Sequence, residues 1–166
     1  LASRIRNTGA EVLYVPAVAA DAARMALAAR HGRVTAQFAG TDGWNAPELR
    51  RFAGDAVQGA LVTEAFAPTA TRPVVERFNR DFRERFHALP GSLAALGFDA
   101  ARWVLAAAAR VSLGDAHGLR DALLSSRHED AVAGAFSVDA QRALTRAVHV
   151  LRVESTGLAL VGAASP

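Results

Sequence analysis

Three times within its first 86 residues the chain repeats a short apolar run followed by an amphipathic helical stretch, and this alternation constrains its fold more than any other feature. Glu11 to Val15 reads EVLYV and ends at Pro16, the pattern of a strand buried on both faces of a parallel sheet. Asp21 stands where it would cap a helix from Ala22 to His31, with Gly32 as its left-handed stop. A second strand, Val34 to Ala39, runs through Gly40-Thr41-Asp42-Gly43-Trp44 into Asn45-Ala46-Pro47-Glu48. That string reads as a capping-box start with proline in the first turn, and predicts a helix to about Ala53. Gly59 to Phe66 is a third strand. Val74 to Phe86 is a third helix, with Val75, Phe78, Phe82 and Phe86 on one stripe. The expectation is an α/β fold with a parallel central sheet, right-handed crossovers and helices on both faces.

The edges of this pattern differ from its middle. Leu1 and Ile5 lie four apart and precede Gly9, so the chain opens in the end of an amphipathic helix. Leu93 to Leu113 predicts a long helix, apolar nearly all round except for Asp99, Arg102 and Arg110, which requires cover on most sides. A short helix near Leu119 to Leu124 follows. Gly134 to Val138 and Ala147 to Glu154 then alternate like antiparallel strands, and Leu158 to Val161 closes the series.

Composition excludes several function classes. There are no cysteines, so disulfide scaffolds, zinc-thiolate sites and cysteine nucleophiles are ruled out. All 19 basic residues are arginine, which with the many alanines reads as coding bias. The arginines are scattered, and the densest group, Arg77, Arg80, Arg83 and Arg85, alternates with Glu76, Asp81 and Glu84. That is a solvated helix face, so no nucleic-acid partner is expected. No run of about 18 uncharged apolar residues is present. The five histidines, His31, His87, His117, His128 and His149, show no metal-ligand spacing, and His128-Glu129-Asp130 reads as a surface loop. Nucleophile elbows, dinucleotide turns and phosphate loops are missing from the sequence. Glu48 and Glu64 make a poor carboxylate pair, Glu48 being explained by capping and Glu64 by the exposed phase of its strand. An enzyme is not expected, and neither is a cofactor or a metal.

Five strings carry a family resemblance: Gly9-Ala10-Glu11-Val12-Leu13-Tyr14, Gly40-Thr41-Asp42-Gly43-Trp44-Asn45-Ala46-Pro47-Glu48-Leu49, Ala53-Gly54-Asp55-Ala56-Val57-Gln58-Gly59, Leu96-Gly97-Phe98-Asp99-Ala100-Ala101 and Gly134-Ala135-Phe136-Ser137-Val138-Asp139. In this order and spacing they resemble the type 1 periplasmic solute-binding proteins of leucine/isoleucine/valine ABC importers, over nearly the whole chain. In that family two α/β lobes joined by three crossovers close on a ligand between them. The resemblance covers the carboxy-terminal lobe portion. It implies that the amino-terminal lobe, which holds the ligand carboxylate, and the first strand of the second lobe lie outside this chain. Residues 1–86 then correspond to the ligand-binding lobe, and 87–166 to the long crossover helix and the terminal strands returning toward the absent lobe. In isolation the outer surface of that helix would be exposed.

The resemblance also implies capture of an amino acid or similar small polar solute for an ABC permease, in the periplasm or another extracytoplasmic place, with a lipid anchor as an option. A ligand-sensing receptor domain of the same fold, coupled to a signalling partner, remains the alternative. The missing lobe or a second copy is the other expected partner. Ligands of open α/β sheets sit at the carboxyl ends of strands, which singles out Ala17 to Ala20, Gly40 to Trp44 and Phe66 to Thr69. The resemblance gives Asp42 the ligand's α-ammonium group; a local turn cap is the competing role. Thr41 lies beside it, and Trp44 is either a cleft wall or packing. Val18 and Ala19 stand where relatives commonly carry an aromatic that touches the ligand, a departure that leaves ligand identity open.

Overall fold

The computed structural model describes residues 2–164. Its contacts resolve into two compact units, one built around Leu1–Glu64 and Val150–Gly162, the other around Ala65–His149.

The first unit opens with helix α1 (Ala2–Asn7) and strand β1 (Val12–Val15), then helix α2 (Ala19–His31), strand β2 (Gln37–Gly40), helix α3 (Pro47–Ala53) and strand β3 (Leu61–Glu64). β1 and β2 pair in parallel, Val12 opposite Gln37 and Val15 opposite Gly40, and β2 pairs in parallel with β3, Gly40 opposite Val62. Strand–helix alternation gives this arrangement because a parallel neighbour can be reached only by a crossover, which α2 and α3 supply. α2 lies close to its neighbours because Ala19, Ala22, Ala23, Ala26 and Ala29, spaced at helical intervals, are all buried. The core is completed by Val15, Phe38, Trp44, Leu49, Val57 and Val62, each 2% exposed or less. Full burial of a side chain such as Phe38 or Leu49 contributes about 1.5–3 kcal/mol. Arg30 closes the far end of the unit: its guanidinium donates to the carbonyls of Val34 (2.7 Å), Ala36 (3.0 Å) and Ala56 (3.3 Å) and lies 4.4 Å over the Phe38 ring.

In the second unit, helices α4 (Pro73–Phe86), α5 (Ser92–Ala108) and α6 (Ala116–Leu124) precede a small antiparallel sheet, β4 (Arg127–His128), β5 (Phe136–Val138) and β6 (Leu144–Arg146). Phe78 is its aromatic hub, with ring centroids 6.0 Å from Phe66, 5.8 Å from Phe82 and 5.0 Å from Phe98. The carboxylate of Asp99, 5% exposed on α5, accepts from the amides of Val132 and Ala133 at 2.8 Å each. Arg72 donates to the carbonyl of Ala131 at 3.0 Å in the same buried loop. Strands β7 (Val148–Glu154) and β8 (Gly157–Ala164) then extend the first sheet, giving the order β1-β2-β3-β7-β8. The amide of Gly59 donates to Val153 and that of Val153 to Ala60, at 2.9 and 2.8 Å.

Mixed parallel and antiparallel strands flanked by helices were expected, but several local expectations are corrected. β1 is an edge strand and not buried on both faces: Val12 and Tyr14 are exposed while Val15 is buried. A solid apolar run does not reveal whether a strand has one covered face or two. α2 starts at Ala19, so Asp21 sits in its first turn without capping it. Gly32 has φ −75° and the left-handed conformation falls on Arg33 (φ 58°). The capping box does not form, since α3 begins after Ala46 with no side-chain cap. α5 ends at Ala108 and is not covered on most sides: Ala95, Asp99 and Ala107 form one buried stripe, and Leu93, Val104 and Leu105 are exposed. His128 lies in β4, not in a loop, stacked 4.7 Å from Phe136. β7 and β8 join the sheet of β1 to β3. Among the described residues no helix is long and apolar enough to cross a membrane.

Candidate functional site

Asp42, Gly43 and Trp44 form a single 3-10 turn just beyond the carboxyl end of β2. The turn is closed internally by the amide of Trp44 donating to Thr41 (3.0 Å), that of Asn45 to Asp42 (2.9 Å) and that of Ala46 to Trp44 (2.9 Å). It is also held from outside on two sides.

Toward β1, the indole N–H of Trp44 donates to the carbonyl of Val15 at 2.9 Å, and its ring lies 6.2 Å from Phe38. Gly40 permits this, because a Cβ there would stand 2.6 Å from Cγ of Trp44. Gly43 likewise runs close to β1's continuation: a Cβ at that residue would lie 2.9 Å from the carbonyl oxygen of Ala17. Toward β3, the side-chain amide of Asn45 donates to Oε1 of Glu64 at 2.9 Å. Glu64 is 3% exposed, so its assignment to the exposed phase of the strand is corrected: it points inward at the strand's end.

The expected site residues fall as follows. Asp42 is exposed, and its Oδ1 accepts from the amide of Gly43 at 3.0 Å. Its Oδ2 has no hydrogen-bond partner among the described residues, so one oxygen caps the turn and the other stays open to a donor. Thr41 is half-buried beside it. Val18, 63% exposed, occupies the position that caps α2 but provides no side-chain acceptor, and Ala19 begins the helix, buried. The first-turn amides of α2 therefore lack a side-chain cap, and a helix start of this kind favours negative charge. Of the two roles open to Trp44, the geometry assigns packing: it is 1% exposed and acts as the turn's anchor rather than as an accessible wall. Val18, Ala19, Thr41, Asp42 and Trp44 all belong to the first unit and flank the carboxyl ends of β1 and β2. Sequence reasoning missed Asn45 and Glu64. For Asn45 the signal was its proximity to the turn, which was absorbed by the capping reading; for Glu64 it was the shared strand phase with Val62.

A family model for periplasmic binding proteins matches residues 1–158. Among solved structures, the chain is similar to the leucine binding protein LivK of Thermotoga maritima, with 25% identity and a TM-score of 0.88 over 99% of this chain and 47% of that one. It is also similar to the branched-chain amino acid transporter substrate binding protein LivJ of Streptococcus pneumoniae in complex with isoleucine, with 19% identity and a TM-score of 0.77 over 97% and 47% of the two chains. A third likeness is to a solute binding protein of an ABC transporter from R. palustris in complex with benzoate, with 15% identity and a TM-score of 0.75 over 99% and 46%. The chain spans about half the length of these structures. No curated protein matches it.

Proposed function

The chain belongs to the periplasmic binding proteins, and from that membership we propose that it forms one wall of an extracytoplasmic solute site, in which Asp42 receives the α-ammonium group of an amino acid delivered to an ABC permease. What supports the reading is the open Oδ2 of Asp42 on a turn clamped at the carboxyl end of β2, where ligands of open α/β sheets sit. Thr41 lies beside the ammonium group, and the exposed Val18 borders the ligand side chain with a small apolar surface, backed by the buried Ala19. Trp44 contributes by fixing the turn. The opposing wall supplies the donors for the ligand carboxylate, and closure follows because a ligand touching both walls binds the closed state better.

A charged hydrogen bond from ammonium to carboxylate in a water-poor site is worth about 1.5–3 kcal/mol. Calorimetric titration of the full-length protein against the common amino acids should therefore find a binder, with Asp42→Ala weakening it roughly tenfold to a hundredfold. Undiminished affinity in the variant removes Asp42 from the site. If no α-amino acid binds the native protein, the ligand class is wrong.

A further inference from the structure

We propose that Glu64 is a positioning residue for the Asp42 turn, acting through Asn45; the inference deepens the binding role proposed above and rests on it for its functional consequence. Burying a carboxylate is costly unless hydrogen bonds replace its water, so a glutamate 3% exposed at a strand end needs a structural reason. Its Oε1 receives the side-chain amide of Asn45, whose own backbone amide donates to the carbonyl of Asp42 and closes the 3-10 turn. Asn45 is thus bonded at once to the turn and to the end of β3. The other external anchor, Trp44 on the carbonyl of Val15, ties the turn to the end of β1. With both in place, the three residues that carry Asp42 are pinned to the strands on either side of β2. With the Asn45 tie lost, one side of the turn is released while Trp44 still holds the other.

Two features make this bond a directional one. The acceptor is a carboxylate, which strengthens the bond relative to a neutral pair. Its acceptor end is buried, so water competes poorly for that oxygen, while Asn45 itself is exposed. Neither residue is required to touch the ligand, and the consequence for binding is preorganisation: the carboxylate of Asp42 is aimed before the ligand arrives.

The test is a double-mutant cycle in the full-length protein, with Glu64→Ala, Asn45→Ala, the pair together, and Glu64→Gln as the conservative variant. All carry Trp103→Phe, which removes the other tryptophan of this chain. Two readouts are taken: amide exchange across residues 41–46 with Trp44 emission in the free protein, and the dissociation constant for the amino acid that native protein binds. Each alanine variant should accelerate exchange in the turn and weaken binding about five- to tenfold. The pair together should be no worse than either alone. Glu64→Gln keeps an oxygen acceptor and should restore most of both properties. Additive losses, or an unaltered turn in either alanine variant, overturn the proposal. The free-protein readout stands even if no amino acid binds, so failure of the ligand assignment is distinguishable from failure of the positioning role. A variant that only lowers overall stability would speed exchange everywhere, not in the turn first, and would also refute it.

Discussion

Replacing Gly40 with alanine places a methyl group against a fully buried aromatic ring in the first unit. The new Cβ would fall against the indole ring itself, nearest Cδ2 and Cε2 with Cγ at 2.6 Å, so the whole ring has to move. Trp44 is 1% exposed, so the ring has no solvent-filled space to enter and must push against Phe38 or leave. Overpacking of this kind costs about 1–3 kcal/mol. If the ring moves, the indole bond to Val15 is lost as well, adding about 1 kcal/mol. The total, about 2–4 kcal/mol, corresponds to a fall of roughly 4–16 °C in Tm for a chain of this size. Thermal and urea unfolding of Gly40→Ala in the Trp103→Phe background measures the loss, and a red shift of Trp44 emission reports whether the indole has been displaced. The decisive comparison adds Trp44→Leu. With the large ring gone the methyl group has room, and its cost should drop below about 1 kcal/mol. The same penalty in both backgrounds would refute the steric account.

Asp99→Ala should lower stability by about 2–4 kcal/mol, because the buried amides of Val132 and Ala133 both lose their acceptor; Asp99→Asn, which retains one oxygen, should lose less, and urea midpoints compare the two. At His128, burial first and then the Arg102 guanidinium hold the imidazole pKa below its ordinary value, against an opposing pull from Asp99. The unfolded chain therefore takes up a proton near pH 6.5 that the folded chain refuses, so stability is full above that pH and declines as pH falls below it. Unfolding at pH 7.5 and 5.5 should show a larger drop for the native protein than for His128→Gln, and equal drops would exclude His128 as the source.

How much of this was legible depends on whether a residue's role is local. The three strand–helix repeats follow from periodicity, and they place the turn at Gly40 to Asn45 because the apolar run of β2 stops there. Asp42 and its neighbours were singled out as candidates by the resemblance and the strand-end rule together. What failed was each inference that needed a partner distant in sequence. Asn45 and Glu48 match a capping box, yet the side chain of Asn45 bonds a residue 19 positions away. Glu64 follows Val62 in the same phase of its strand, which should have marked it as inward-facing; its charge argued otherwise, and the partner that offsets burial was invisible. Trp44 was ambiguous for the same reason, since its acceptor lies 29 positions earlier. α5 looked covered all round because its apolar residues encircle it, yet Leu93, Val104 and Leu105 are exposed, as expected for the outer surface of this helix in isolation.

The exposure of Asp42 bears on where binding energy can arise. A carboxylate in open water gains about 0–1 kcal/mol from an ammonium partner, too little to hold a free amino acid. The same pair becomes worth several times more only once a second wall removes the water around it. Until then the first unit can contribute only geometry, and its sequence is arranged accordingly: a glycine that admits the Trp44 ring, a second glycine against the carbonyl of Ala17, and a buried glutamate that holds Asn45 all serve to fix one short turn. Three constraints on so few residues remove conformational entropy before the ligand arrives, which is the part of the binding cost that a single wall can reduce. In the proposed role of Asp42, affinity depends on closure, and the rigidity of the turn determines how much of that closure energy is left after the carboxylate has been aimed.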